Sequence, residues 1–290
     1  MDVKEIIKKI RKIEIKTKVL SKNIFSGEYH SAFKGMGMSF AEVRQYQFGD
    51  EVKYIDWNVT ARTGEPHVKI FEEERELTVM LLVDISKSTF FGTREKLKSD
   101  IAAEVSAILS FSAIFNNDKV GAILYTDKIE KFIPPKKGKK HILHIVREII
   151  FFEPEGKGTD LALALQYLNN VLKKRAIVFI LSDFLTSGYE VPLRIARKKH
   201  DVIGIHIFDK AEYRLPKAGL LKLQDAESGR NFVIDSNSAA VRRKYESRYA
   251  ANYKYFKDNF TKIGLDTIDI QVEDDYIIAL MKFFKKRVKS

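Results

Sequence analysis

Oxygen-bearing side chains lie in three loops between predicted strands and helices. Asp84, Ser86 and Ser88 form a D-x-S-x-S motif directly after the apolar run LTVMLLV. Thr159 follows the glycines of EGKGT just before a predicted helix, and Asp183 follows the strand AIVFILS. Because ligand sites in doubly wound sheets lie at the carboxyl ends of the strands, we expect these five side chains to converge at one sheet edge.

Carboxylates and hydroxyls are hard ligands, which suit Mg²⁺, Mn²⁺ or Ca²⁺, whereas zinc prefers histidine or cysteine. We therefore expect a divalent metal, with Mg²⁺ ahead of Mn²⁺ and Ca²⁺. With such ligands, some of them acting through water, the ion stays electrophilic and can accept an acidic residue from a partner protein. D-x-S-x-S alone is a weak signal, since serine often caps the helix after a strand, so the prediction depends on Thr159 and Asp183 as well.

The same residues leave an enzymatic alternative open. An aspartate after a central strand, beside a metal, can serve phosphoryl transfer, and a metal-dependent hydrolase or phosphatase is the chief alternative. Haloacid-dehalogenase-like phosphatases carry a second aspartate two residues after the nucleophile, where this chain has Ser86. The EGKGT segment also lacks the Lys-Ser/Thr pair of a phosphate-binding loop. We therefore expect a binding protein and not an enzyme.

The order of elements predicts the fold that positions these residues. From Leu77 onward, buried strands alternate with helices, which predicts an α/β fold with a doubly wound, mostly parallel sheet. Two runs, KVGAILYTD and KIEKFIPP, predict a hairpin that turns at Thr126 and Asp127. A second hairpin is predicted near residues 220–235. The helix predicted over Ser238–Ile263 carries a stripe of tyrosine and phenylalanine, which is most simply core packing.

Composition divides the chain into three predicted segments. Residues 1–30 form a basic N-terminal segment with helical spacing, and residues 31–76 form an arm of turns and brief strands. Residues 77–290 form the α/β domain, with the second hairpin inserted in it. The chain has 290 residues and 45% apolar residues, which is enough for a packed core.

Charge and cysteine content bound the location and the partners. The chain contains no cysteine, its N-terminus lacks a secretory signal, and no apolar run spans a bilayer, so we expect a cytoplasmic protein. The net charge of +12 lies largely in Lys4–Lys22, Arg242–Lys262 and Lys282–Lys289. Solvated helix faces are the simplest explanation of this charge. An acidic protein surface is the main alternative, and nucleic-acid binding stays open on charge alone.

The five predicted metal ligands resemble the metal-ion-dependent adhesion site of von Willebrand factor A domains. The segment upstream is similar to the family named domain of unknown function 58, whose members join such an arm to an A-type domain. The matching positions are Gly35, Gly37, Phe40, Arg44, Tyr46, Gly49, Asp50, Ile55, Asp56, Trp57, Ala61 and Arg62. The resemblance implies a von Willebrand factor A-like fold with an N-terminal arm.

The resemblance also implies a partner. For this family the expected partner is an AAA+ ATPase of the MoxR type, with the A-type protein acting as an adaptor or chaperone component. Its metal site would engage the ATPase or a client protein through an acidic residue. Some members carry membrane helices, a feature that the sequence of this chain does not show.

The arm contains charges and one aromatic residue that predict a clamp. Arg44, Asp50, Asp56 and Arg62 can pair with one another or with the acidic run EEERE, and Trp57 is expected to be a buried apolar anchor. We expect these residues to fasten the arm to the α/β domain. A partner-binding role is the alternative.

Overall fold

The computed structural model describes residues 29, 32–33, 38–73, 76–92, 96–224 and 230–288. The predicted basic helix before residue 29, together with Gly35 and Gly37, lies outside the described residues. Strands of the described part are β1 (Met38–Gln45), β2 (His67–Glu73), β3 (Thr78–Asp84), β4 (Lys119–Tyr125), β5 (Ile129–Lys136), β6 (Ile177–Ser182), β7 (Asp201–Phe208), β8 (Leu220–Gln224), β9 (Asn231–Asp235) and β10 (Asp266–Gln271).

Its α-helices connect most of these strands and cover the sheet that they form. The helices are α1 (Trp57–Thr63), α2 (Lys98–Phe115), α3 (Lys139–Phe151), α4 (Leu161–Val171), α5 (Glu190–Lys199), α6 (Lys210–Tyr213), α7 (Ala239–Ile263) and α8 (Tyr276–Val288). The long helix α7 begins after Ser238, whose side chain accepts a hydrogen bond from Val241 N, and it ends at Gly264 in the left-handed conformation. The C-terminal cap at Gly264 was predicted from the sequence.

Six strands form the central sheet, in the order β10-β7-β6-β3-β4-β5. Adjacent strands are parallel except β4 and β5, which pair antiparallel as the predicted hairpin. The predicted doubly wound, mostly parallel sheet is therefore confirmed. β8 and β9 also pair antiparallel, in the region of the second predicted hairpin.

The strand order reverses between β3 and β6, which are neighbours in the sheet. After β3 the chain passes through α2 to β4 on one side, and after β6 it passes through α5 to β7 on the other. The two loops therefore part at the carboxyl edge and leave a crevice between them. Such a reversal point is where open α/β sheets bind ligands.

Apolar side chains pack on both faces of the sheet. One core contains residues of α2, α3 and α8, and the other contains residues of α4, α5 and α7. Residues Val79–Val83 of β3 have no exposed surface. Strands buried on both faces read as continuous apolar runs, which explains LTVMLLV in the sequence. Tyr29 and Phe33 are also buried in the first core, where their rings meet that of Phe284.

β5 ends one side of the sheet. It contains Pro134 and Pro135, whose nitrogens carry no hydrogen to donate, and the exposed edge also carries lysines. Among the described residues, no helix is both long and apolar enough to cross a lipid bilayer.

Candidate functional site

The chain turns sharply at the carboxyl end of β3. Asp84 is buried, and its Oδ1 accepts a hydrogen bond of 2.9 Å from the backbone N–H of Ser86. The hydroxyl of Thr89 donates to the carbonyl oxygen of Ser86 at 2.7 Å. An aspartate that accepts from the second residue after it fixes a local turn. This turn holds Ser86 and Ser88 at the edge of the sheet.

A second polar turn follows β6, the neighbouring strand. Ser182 donates from Oγ to Asp84 Oδ2 at 2.8 Å, and Asp183 Oδ1 accepts from Leu185 N at 3.2 Å. Phe184, between Asp183 and Leu185, has a φ of 53°, a left-handed conformation that is strained for an aromatic residue. Its ring stacks on Phe256 with centroids 4.1 Å apart, so core packing stabilises the strained turn.

Hydroxyl groups join the two turns across the crevice. The oxygens Ser86 Oγ and Ser88 Oγ lie 3.1 Å apart, and Ser88 Oγ donates to Asp183 Oδ2 at 2.8 Å. Four of the five predicted ligands, Asp84, Ser86, Ser88 and Asp183, therefore lie in one hydrogen-bonded network. The convergence follows from the parallel pairing of β3 with β6, which places their carboxyl ends side by side.

Thr159, the fifth predicted ligand, belongs to a loop that is fastened beside this network. Thr186 donates from Oγ1 to the carbonyl oxygen of Thr159 at 3.1 Å, and Asp160 N donates to Thr126 O at 2.9 Å. These bonds tie the loop to the ends of β6 and β4. Within the part of the chain that the structure describes, the Thr159 hydroxyl makes no hydrogen bond to the other four ligands.

Gly156 allows this loop to lie close to the β4–β5 turn. A Cβ atom on Gly156 would lie 2.0 Å from Thr126 Oγ1 and 2.2 Å from Asp127 Oδ1, which no side chain can do. Its backbone N–H donates to Glu130 Oε1 at 2.7 Å. The same addition at Gly158 would meet Asp127 atoms no nearer than 3.6 Å. Close approach therefore requires glycine at position 156.

Lys98 and Glu212 complete the site, and the sequence analysis missed both. Lys98, the first residue of α2, is 2% exposed, and its Nζ donates to Asp183 Oδ2 at 2.8 Å and to Glu212 Oε1. Lysine usually extends into solvent, so its type gave no signal. Its place at the first position of a helix, where the positive end of the helix dipole disfavours a cation, is visible only in the structure.

Burial and neighbouring charge shift the acidity of these groups. Burial and the charge of Asp183 raise the pKa of Asp84 to about 6. Burial also disfavours the charge of Asp183, but the Lys98 ammonium and hydrogen bonds from Lys98, Ser88 and Leu185 hold its pKa below the ordinary value. Asp183 is thus stabilised as a carboxylate, whereas Asp84 ionises at the expense of folding energy.

The donor set fits a hard divalent cation in its chemistry. The two aspartates and the three predicted hydroxyls supply oxygen ligands of the kind that Mg²⁺ takes. One cation, the Lys98 ammonium, already lies against Asp183. The ammonium and the carboxylates of Asp84, Asp183 and Glu212 leave two negative charges among these four groups when all are ionised.

A cleft with a volume of about 660 Å³ lies between α7 and the ends of β7 and β10. It is lined by Tyr213, Tyr249, Tyr253, His206, Glu246 and Asp269, among others. The tyrosine stripe of α7 was expected to be core, and that was wrong for Tyr245, Tyr249 and Tyr253, which are not fully buried. Phe256 and Phe260 are buried, whereas Tyr245, Tyr249 and Tyr253 are half-buried, and Tyr249 and Tyr253 line this cleft.

The arm contains β1, β2 and α1. Of its predicted charged residues, two pair with each other, one caps a helix and one is exposed. Arg44 pairs with Asp50 through two hydrogen bonds, of 2.8 and 2.7 Å. Asp56 caps α1 by accepting from the N–H groups of Asn58 and Val59. Arg62 is exposed.

Trp57, the expected buried anchor, is 66% exposed, so that expectation was wrong. The arm is a two-stranded sheet with one short helix, and it offers too little apolar surface to cover an indole. Phe48 and Val52, in the same part of the arm, are exposed as well. The arm therefore presents apolar side chains to solvent.

The sequence matches one family model and is similar to several bacterial proteins. A family model described as "Protein of unknown function DUF58" matches residues 42–255. "Uncharacterized protein Rv1480" from Mycobacterium tuberculosis (strain ATCC 25618 / H37Rv) is 31% identical over 283 residues, which cover 96% of this chain and 88% of that one. "Uncharacterized protein YeaD" from Bacillus subtilis (strain 168) is 27% identical over 109 residues, which cover 38% of this chain and 25% of that one.

Solved structures with a similar fold have lower sequence identity. An aerotolerance-related membrane protein from Bacteroides fragilis NCTC 9343 is 16% identical, with 73% of this chain and 98% of that chain covered and a TM-score of 0.48. The SpRpn10 VWA domain is 11% identical, with 71% and 94% covered and a TM-score of 0.37.

Proposed function

Because the chain belongs to the family described as protein of unknown function DUF58 and has a von Willebrand factor A-like α/β fold, we propose that it is a protein-binding module with a metal-dependent site. The ligands are Asp84, Ser86, Ser88, Thr159 and Asp183. The observation that carries the proposal is the hydrogen-bonded network of Asp84, Ser86, Ser88 and Asp183 at the point where the strand order reverses.

The charge of the site supports a divalent ion. Asp84 and Asp183 are buried, yet the single ammonium of Lys98 bonds to Asp183 and Glu212 and not to Asp84. Buried carboxylates need compensating charge or they take up a proton. A divalent cation beside Asp84 would neutralise the two remaining negative charges. Mg²⁺ is the first choice, with Mn²⁺ and Ca²⁺ as alternatives.

Each ligand has a distinct role in the proposal. The hydroxyls of Ser86, Ser88 and Thr159 bind the ion, and the two aspartates contact it directly or through water. When bound, the ion supplies an electrophilic position that accepts a carboxylate from the partner. Hydroxyls are neutral ligands, so they leave more of the positive charge of the ion available for that carboxylate.

We propose an AAA+ ATPase of the MoxR type, or a client that it remodels, as the partner. This choice rests on the family resemblance, and the chain then acts as an adaptor or chaperone component in the cytoplasm. The cleft beside α7 adjoins the site, because Tyr213 follows Glu212 directly in α6. A partner segment that supplies the carboxylate could extend into this cleft with an aromatic or apolar side chain.

Hydrolysis is the alternative function, and the site gives it less support. General base catalysis needs a group that can accept a proton from an attacking water, within hydrogen-bond reach of the reacting atom. Both oxygens of Asp84 already accept hydrogen bonds, from Ser86 N and Ser182 Oγ. Asp183 is held as a carboxylate by Lys98 and Ser88. These hydrogen bonds orient both carboxylates within the two turns, which suits ion binding, and we infer that neither acts as a general base.

The test is binding of the purified chain to a purified AAA+ ATPase of the MoxR type, measured by biolayer interferometry in Mg²⁺ and in excess chelator. We expect binding to need the ion and to be lost in Asp84→Ala and Ser86→Ala proteins that retain their circular dichroism spectra. Ser187→Ala, an exposed serine at the same sheet edge, is the matched control and should bind normally. Undiminished binding by Asp84→Ala would refute the proposal and make the arm around Trp57 the next candidate surface.

A further inference from the structure

Lys98 is a buried lysine in a position where helix electrostatics disfavour it. As the first residue of α2, it lies at the end where the helix dipole is positive. Its side chain is 2% exposed, so solvent does not screen that repulsion. Both acceptors of its ammonium, Asp183 and Glu212, come from other elements of the fold. The buried position of Lys98 is therefore stabilised by the carboxylates of the site and not by its own helix.

The ammonium touches an acceptor that Ser88 also uses. Asp183 Oδ2 accepts from Ser88 Oγ at 2.8 Å and from Lys98 Nζ at 2.8 Å. A divalent ion bound by Ser86 and Ser88 would therefore approach the ammonium closely. Like charges a few ångströms apart in a buried site repel strongly. The ion and the ammonium cannot both stay at Asp183 without a large loss of affinity.

Glu212 offers the ammonium a second position that is already formed. Its Oε1 accepts from Lys98, and its Oε2 accepts from the backbone N–H of Asp209 at 2.9 Å. Asp209 in turn accepts from Ala211 N at 2.8 Å, so the two acidic residues cap α6 reciprocally. This capping fixes the Glu212 carboxylate. Lys98 can leave Asp183 while it keeps Glu212, with only a small movement of its ammonium.

We propose that Lys98 is the built-in counter-ion of the site, which a divalent cation must displace from Asp183 toward Glu212 in order to bind. This inference rests on the proposed metal site and adds a residue that sets its affinity. The displacement would also bring the ammonium closer to the Glu212 carboxylate, in the short helix that borders the aromatic cleft. Metal binding would thereby be communicated to the cleft through one ammonium group.

The test is Mn²⁺ binding measured by isothermal titration calorimetry on the full chain. Lys98→Met keeps the length of the side chain and removes the charge, and we expect it to bind Mn²⁺ at least about tenfold more tightly than wild type. Glu212→Gln removes the second position of the ammonium, and we expect it to bind several-fold more weakly. Lys96→Met, a nearby lysine that pairs with Glu104, should leave the affinity unchanged.

A double-mutant cycle separates displacement from simple loss of charge. If Glu212 acts by receiving the ammonium, Glu212→Gln should change Mn²⁺ affinity much less in the Lys98→Met background than in wild type. Equal effects in both backgrounds would overturn the coupling. Should Lys98→Met fail to fold, Lys98→Gln and the Glu212→Gln protein give the same comparison.

The outcomes also distinguish this inference from the proposed function. Equal Mn²⁺ affinity for wild type and Lys98→Met would overturn the role of Lys98 and leave the metal site standing. Binding by Lys98→Met alone would support the role of Lys98 and refute metal dependence of the natural chain. Binding by neither protein would reject both.

Discussion

Ser88 and Asp183, which are 95 residues apart in the chain, are joined by a hydrogen bond of 2.8 Å. This bond crosses the crevice between the loops that follow β3 and β6. It links a residue after the first strand of the sheet to a residue at the point where the sheet reverses direction. The geometry of the candidate site thus depends on the central strand pair β3 and β6, which is buried.

Ser88→Ala and Thr159→Ala should differ in their free energies of unfolding in chelator. Both should lose the stabilisation that a bound metal ion gives. Ser88→Ala removes a hydrogen bond to a charged acceptor, so we expect it to lower the free energy of unfolding by about 1–2 kcal/mol in chelator. Thr159→Ala should change that free energy by less than about 0.5 kcal/mol, because the hydroxyl has no partner among the other ligands. Both variants should lose most of the thermal stabilisation that Mn²⁺ gives to wild type. A full response by Thr159→Ala would remove Thr159 from the ligand set.

Asp84→Asn should stabilise the metal-free protein at neutral pH. Burial raises the folded-state pKa of Asp84 from 3.8 to about 6, so ionising this carboxyl lowers the free energy of unfolding. The whole loss is present above pH 6, and none of it is present below pH 4. We expect Asp84→Asn to be about 1–3 kcal/mol more stable than wild type at pH 7.5 in chelator, with the difference vanishing as pH falls through that window. Urea unfolding at several pH values measures it. A less stable Asp84→Asn protein at pH 7.5 would contradict the assigned pKa direction.

Charge reversal on α7 should alter association kinetics without altering the metal requirement. Arg243 and Lys244 are exposed, and exposed lysines and arginines contribute long-range attraction that salt screens. We expect Arg243→Glu/Lys244→Glu to slow association with the ATPase by about tenfold at low salt and to flatten its salt dependence. Lys140→Glu, on α3 at the opposite face of the sheet, is the control. An equal effect of that control would mean that net charge, and not this helix, attracts the partner.

The apolar end of the arm should have little role in stability. Trp57 is largely exposed, so Trp57→Ala should change the free energy of unfolding by less than about 1 kcal/mol. Its effect on ATPase binding then reports on the arm as a second contact surface. A large loss of stability would instead indicate that the arm docks on the domain in solution and covers Trp57.

Purified protein should show no phosphatase or nucleotidase turnover in Mg²⁺ or Mn²⁺. The reason is that hydrogen bonds hold both carboxylates within the two turns, where we propose that they bind the ion and do not activate a water. Assays with p-nitrophenyl phosphate and with nucleoside triphosphates measure this. Metal-dependent hydrolysis that Asp84→Asn abolishes would establish the enzymatic alternative.

Sequence reasoning predicted the frame of the site because few physical rules govern it. A buried strand reads as an apolar run, and its carboxyl end lies beside those of its parallel neighbours, so Asp84 and Asp183 had to share an edge. The hairpin after Tyr125 and the C-terminal cap at Gly264 follow from equally local rules. These features depend on backbone geometry and on the spacing of apolar residues.

The remaining features depend on contacts between distant side chains, which spacing does not encode. Lys98 reads as an ordinary surface lysine until Asp183 and Glu212 are known to face it. Trp57 reads as a core residue because of its size, but the arm has no second layer to bury it. The α7 tyrosines lie on the face expected from helical periodicity, yet the sheet beneath them ends before it can cover them.

The two prolines of β5 determine how molecules of this protein can meet one another. Neither Pro134 nor Pro135 can offer an N–H to a strand from a second copy that approached this edge. Lys136, on the same strand, is exposed and adds a charge there. The sheet therefore resists growth from molecule to molecule on this side, and crowding should not turn it into a template for fibres.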